Sequence, residues 1–226
     1  MTSMLKDLAE RQLHLMILGD WKRVDPRLLE YLEGELGTEP ERDPIGVAFC
    51  LLKIGVSPER ATSLLSWKDF EAFCMRGLQI HGMEAIRGLR FKNDRRYEID
   101  VLGIGEKLIL LIDCKMWSMR GRSGKIEPVA RDHLRKAKAF DEAMRSGSIN
   151  GLIKEGGKSQ IIPVIVSWLD TGVVRSKEGV AIMSLRNFPN FLNSLDELED
   201  FVKIDVDYRI KIRRETPSRN LSVLRF

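Results

Sequence analysis

The chain has 226 residues, 43% of them hydrophobic and 31% charged, with a formal net charge of +4. A chain of this length can bury a core without disulfides or metals, and its composition excludes wholesale disorder, collagen and a cystine scaffold. Its uncharged apolar runs, such as Leu108–Ile112, fall far short of the roughly 20 residues that a membrane-spanning helix needs, so no membrane partner is expected.

Lys6, Asp7 and Glu10 stand where a signal peptide would need an apolar core. The three cysteines (Cys50, Cys74 and Cys114) are odd in number and show no CxxC spacing, which suits a reducing compartment. A cytoplasmic location is therefore expected. Cys74 and His81 lack partners at metal-site spacing, so no zinc site is expected. Charge is unevenly spread: residues 1–60 carry 8 Lys/Arg against 11 Asp/Glu, whereas 87–136 carry 13 basic and 7 acidic residues. Such asymmetry suits a polyanion partner for the second part or a solvated surface of uneven charge.

The first 60 residues read as helices. Leu5, Leu8, Leu13 and Met16 predict an amphipathic helix over 3–18. Asp25-Pro26 opens a second helix that Gly37 ends, and 38–43 is a loop. Asp43-Pro44 starts a third helix, closed by Gly55, and Ser57-Pro58 a short fourth. Residues 1–62 are thus a small helical domain with no catalytic cluster of its own.

Ser66 and Asp69 come close to a capping box for a helix over 67–80. Phe70, Phe73, Cys74, Gly77 and Leu78 form its apolar face, and Glu71 sits on the edge of that face. From Tyr97 the period becomes two: YEIDVLGIG and KLILLIDCK read as a hairpin turning at Gly105, Glu106 and Lys107. Residues 116–128 form a basic loop and 129–145 a helix. A glycine-rich loop over 146–157 precedes a buried strand at 160–168 and a short strand at 179–184. A helix over 187–198 and a last strand within 201–213 follow. Residues 63–226 are therefore a mixed α/β domain around a sheet of about five strands. The nine methionines and four tryptophans are expected in core packing or buried loops; for Trp117, base stacking is the alternative.

Chemistry is concentrated at the hairpin. Asp113 and Lys115 are two apart on a strand, so they project from the same face. Closure of the hairpin by Ile104 and Leu108 sets Asp100 opposite Ile112, and a register change of one residue sets it opposite Asp113. Two carboxylates that close need a cation or proton between them, and their hard oxygens favour Mg²⁺ or Mn²⁺. Such an ion could bind a phosphodiester oxygen and an attacking water together. Lys115 would orient that water or act as a point charge, and Arg95, Arg96 and the basic loop would hold the polyanion.

The stretch WKDFEAFCMRGLQIHG with RRYEIDVLGIGEKLILLIDCKMW resembles the PD-(D/E)XK nuclease superfamily, nearest to Mrr-like restriction endonucleases and archaeal Holliday junction resolvases. The resemblance covers about 66–190. It implies a restriction-endonuclease-like α/β fold, with a mixed central sheet flanked by helices, and a Mg²⁺- or Mn²⁺-dependent DNA endonuclease in repair, recombination or defence. Catalytic roles then fall on Glu71, Asp100, Asp113 and Lys115, and metal contacts on Asp100, Asp113 and Cys114. Nucleic-acid contacts fall on Arg95, Arg96, Arg120, Arg122, Lys125, Arg131 and Arg135.

Two departures stand out: Ile99 replaces the family's proline, and Asp113 replaces its commoner glutamate. The helix after the motif shows no matching glutamine; it offers Arg131, His133 and Arg135 instead, with His133 expected at the surface and a catalytic base as the alternative. A junction resolvase needs a two-fold dimer, so a homodimer is one assembly the resemblance allows. DNA is the expected partner, with RNA left open. The alternative is an inert nucleic-acid-binding module, or a docking subunit that uses residues 1–60, keeping the nuclease fold without turnover.

Overall fold

The computed structural model describes residues 2–115, 123–168, 170–195 and 199–213. Four helices come first: α1 (Thr2–Ile17), α2 (Pro26–Leu36), α3 (Pro44–Lys53) and α4 (Pro58–Ala61). The Asp-Pro starts act as expected. Asp25 accepts the Arg27 N–H at 3.0 Å and Asp43 accepts the Gly46 N–H at 2.8 Å, each capping a helix whose first residue is proline. These helices enclose their own core around Ala9, Leu28, Leu32, Val47 and Leu51.

Helix α5 (Phe70–Ile80) enters through a 3₁₀ turn, Trp67–Asp69, where the sequence pattern predicts regular helix. Next come β1 (Glu84–Lys92), β2 (Arg96–Ile104), β3 (Leu108–Lys115), helix α6 (Ser123–Arg145), β4 (Leu152–Ser167), β5 (Ala181–Ser184), helix α7 (Phe188–Asn193) and β6 (Ile204–Ile212). The sheet runs β1-β2-β3-β4-β5, with β6 paired to the first half of β4. β1–β2, β2–β3 and β4–β6 are antiparallel, whereas β3–β4 and β4–β5 are parallel. The chain is a mixed α/β protein: a curled mixed sheet flanked by helices, preceded by a helical region.

Four elements depart from the expectations. The first is β1, which the sequence pattern does not predict and which brings the described strands to six. It is an edge strand with Arg87, Arg90 and Lys92 on it and a break at Gly88 (φ 66°), features that discourage further pairing and also hide its period. The second is α6, which starts at Ser123 rather than 129, so 123–128 are helical and the expected loop is shorter. Ile126 accounts for the earlier start, because with Ala130 one turn on it packs on Ile165, Val180 and Ile182. The rest of the expected loop, 116–122, lies outside the described residues. The third is β4, which takes in the segment expected to be a glycine-rich loop: the exposed 152–160 half pairs with β6, with a register shift between Gly156 and Ser159. The fourth is α7, which is shorter than expected, and 196–198 lie outside the described residues.

The sheet has two covered faces. On one, Leu110 and Ile112 meet α5, α7 and, from the helical region, Ala48 and Phe49. Phe49 stacks on Phe73 with ring centroids 4.6 Å apart. On the other, Ile109 and Leu111 meet Ala137, Phe140, Ala143 and Met144 of α6. Gly103 sets the depth of α5: a Cβ there would lie 2.9 Å from Leu78.

Leu78 is fully buried against this glycine. Leu78→Ala is expected to lower unfolding stability by ~2–5 kcal/mol, read as a shift in the urea midpoint. Gly103→Ala is expected to cost ~1–3 kcal/mol by overpacking the same contact.

Candidate active site

The central strand β3 delivers the chemistry. Its alternation sends Ile109, Leu111 and Asp113 toward α6, and Leu110, Ile112 and Cys114 toward α5. Ile104 pairs with Ile109 and Val101 with Ile112. The hairpin therefore closes one residue away from the Ile104–Leu108 closure, and this register, carried one residue past its last pair, sets Asp100 level with Asp113. The ladder ends there. In place of a further backbone bond, Asp100 Oδ2 accepts the Cys114 N–H at 2.7 Å, which ties the tip of β3 to β2 through a carboxylate.

Asp113 is 3% exposed. Its Oδ1 accepts from Lys136 Nζ at 2.7 Å, and its Oδ2 pairs with Lys115 Nζ. Burial pushes the Asp113 carboxyl up, but attraction to Lys136, to Lys115 and, in the acid range where it is protonated, first of all to His133 prevails and holds it at about 2. Burial depresses His133 in turn, to about 4, so the imidazole is neutral near pH 7 and the two ammonium groups carry the compensation. Lys115 is raised: burial opposes its charge, and Asp113 outweighs burial. Asp100 goes the other way, raised first by burial and then by the nearby charge of Asp113. The two carboxyls are thus pushed apart, Asp113 toward the charged form and Asp100 toward the neutral one.

His133, expected at the surface, is instead 1% exposed. Its Nε2 lies 2.8 Å from the Leu111 carbonyl. A carbonyl can only accept, so Nε2 holds the proton, and the buried Nδ1 has no partner. Ala130, His133 and Ala137 follow the helical repeat of α6's inward stripe, which is the physical reason for the correction. Lys136 was not singled out from the sequence: among Arg131, Arg135 and Lys138 it looks like one more solvated cation. Its place beside Ala137 on the inward stripe is the signal that could have found it.

The remaining candidates are spread over several surfaces. Glu71, on α5, lies 4.0 Å from Arg87 and acts on the Cys114 thiol from the α5 face. That thiol hydrogen-bonds to Cys74 and is pushed up by this contact, by burial and by the nearby charges of Asp100 and Glu71, so the Cys114 side chain lies near Asp100 on the α5 side rather than beside Asp113. Arg95 pairs with Asp132 at 2.9 Å, and Arg135 pairs with the same carboxylate. Arg131 pairs with Glu178 at 3.2 Å. These three guanidiniums are partly neutralised by local acids, whereas Arg96 is exposed at the start of β2. Arg120 and Arg122 lie outside the described residues, as does the side chain of Lys125.

Among the described residues, no group of three His, Cys, Asp or Glu side chains is arranged to hold a metal ion. The donor set still suits one class of ion. Mg²⁺ commonly takes one or two carboxylates and keeps several waters, and Asp100 with Asp113 is such a pair.

No family model matches this chain, and no curated protein matches it. Among solved structures, a similar chain is the small subunit of the heterodimeric restriction endonuclease R.BspD6I. It is 12% identical over 71% of this chain and 82% of that one, with a TM-score of 0.35. No helix among the described residues is long and apolar enough to cross a membrane.

The buried imidazole has a consequence for stability. Its folded value, about 4, lies below the ordinary ~6.5. As pH falls from about 6.5 to about 4, the unfolded chain gains a proton that the folded chain refuses. Stability is therefore complete above that window and declines through it, by up to ~3 kcal/mol. Urea unfolding at pH 7, 5 and 4 should show this slope, and His133→Gln should flatten it.

Proposed function

We propose that this chain is a metal-dependent DNA endonuclease of the PD-(D/E)XK type that hydrolyses phosphodiester bonds. The supporting observation is the register that sets Asp100 level with Asp113 at the end of β3, with Lys115 on the same face as Asp113. Mg²⁺ or Mn²⁺ held by Asp100 and Asp113 would supply Lewis-acid stabilisation of the phosphate and a more acidic water.

The chain's own groups do the rest. Asp113 keeps Lys115 protonated, so an ammonium is presented at the strand end as a point charge for the phosphorane-like transition state. Lys136 balances the second Asp113 oxygen from within the fold, 13% exposed at its side chain. Glu71, half-exposed on α5, stands at the same strand end on the opposite face. Arg96 and the basic residues after β3 would hold the sugar–phosphate backbone. Repair, recombination and defence are the tasks that suit such an activity in the cytoplasm. In this reading the acidic residues 1–60 serve as the docking element for a protein partner, and a homodimer would allow paired cuts.

Cleavage of linear, single-stranded, flapped and four-way-junction DNA in Mg²⁺, Mn²⁺ or EDTA tests this reading. Metal-dependent cutting that disappears in Asp113→Ala and Asp100→Asn is expected, with Lys115→Ala about 10²–10³-fold slower. Equal DNA binding by wild type and Asp113→Ala with no cutting by either would replace the endonuclease with an inert binding module.

A further inference from the structure

Trp67 differs from the aromatic residues around it. It is 62% exposed, whereas Phe70 and Phe73 are at 2% or less, and the expectation of a packed or loop-buried tryptophan fails here. Its turn is closed by hydrogen bonds: Asp69 Oδ2 accepts the Ser66 N–H at 2.8 Å and the Ser66 hydroxyl at 2.6 Å. The ammonium of Lys68 lies 6.0 Å from the ring centroid. An indole held outward on a clamped turn loses little conformational entropy when something stacks on it.

The position of this turn suggests what that partner is. Trp67 stands four residues before Glu71, on the turn that leads into the helix carrying that carboxylate. Phe70 meets the Trp168 ring edge to face at 5.7 Å, and the backbone N–H of Trp168 donates to the Lys115 carbonyl at 3.0 Å. A short packed path therefore runs from the Trp67 turn to the tip of β3. A π-face with an adjoining ammonium matches a nucleobase with its phosphate. The base must be unpaired and unstacked, because both faces of a base inside a duplex are covered.

We propose that Trp67 and Lys68 form a stacking platform for an unpaired base, so that the substrate class is single-stranded nucleic acid or a duplex with unpaired nucleotides beside the cut. This rests on the endonuclease reading and deepens it by naming the substrate class. The test is binding of the full chain in EDTA, which separates it from cutting. Labelled single-stranded and fully paired DNA of equal length are titrated by fluorescence anisotropy.

Trp67→Ala is expected to weaken single-strand binding about tenfold and leave duplex binding unchanged, with Trp67→Phe restoring most of the affinity. Quenching of intrinsic tryptophan fluorescence by the single strand should fall in the same variant. The indole is exposed, so a far-UV spectrum equal to wild type confirms that the fold is intact. Unchanged single-strand affinity overturns the platform, as does an equal loss on both DNAs or no binding of either. Loss of single-strand binding in Trp67→Ala, in a protein that never cuts, would sink the endonuclease reading and keep the platform. Cutting that depends on Asp113 with indifference to Trp67 would do the reverse.

Discussion

A single buried carboxylate organises this molecule. Asp113 has 5% of its side chain exposed, and an isolated charge in such a place is strongly unfavourable. Both of its oxygens are occupied, one by Lys136 from α6 and the other by Lys115 two residues on. The charge is tolerated only when α6 is docked on β3, which couples the electrostatics of the strand end to the packing of Ala137, Phe140 and Ala143 against the sheet. Removing one partner from a buried pair is far more costly than never having had the pair, so the arrangement works as a unit.

The same docking explains why the charged groups are poised rather than merely stable. β3 and β4 run parallel to their ends at Lys115 and Ser167, whereas the β2–β3 ladder stops at Val101 and Ile112. Where the backbone ladder gives out, the Asp100 carboxylate takes over as the acceptor for Cys114. A strand end pinned by a carboxylate brings two acids together in a partly desolvated place. Their ionisation is then split: Asp113 is held charged by two cations and Asp100 is pushed toward the neutral form.

The helical region is held to the other side of the sheet. Phe49 stacks on Phe73, and Asp43 both caps α3 and pairs with Arg76 of α5. Arg186, just beyond β5, pairs with Glu59 of α4. The acidic excess of residues 1–60 is therefore met in part by cations of the α/β region, an electrostatic match across two compositionally different stretches of chain.

Much of this was legible in the residues alone. Asp-Pro pairs mark helix starts because proline suits the first helical position and aspartate caps it. The two-residue period of LILLIDCK places Asp113 and Lys115 on one face whatever their surroundings. The tertiary structure decided what periodicity cannot reach. A one-residue choice at the turn, Ile104 with Ile109 rather than with Leu108, brings Asp100 level with Asp113, because a slip of one exchanges the faces of a strand. β1 hides its period behind arginines and a glycine, and β4 becomes a strand through 152–160 because β6 arrives from fifty residues on to pair with it. Lys136 and His133 look like solvated helix residues until α6 is laid on the sheet, and burial is a property of that contact rather than of the helix.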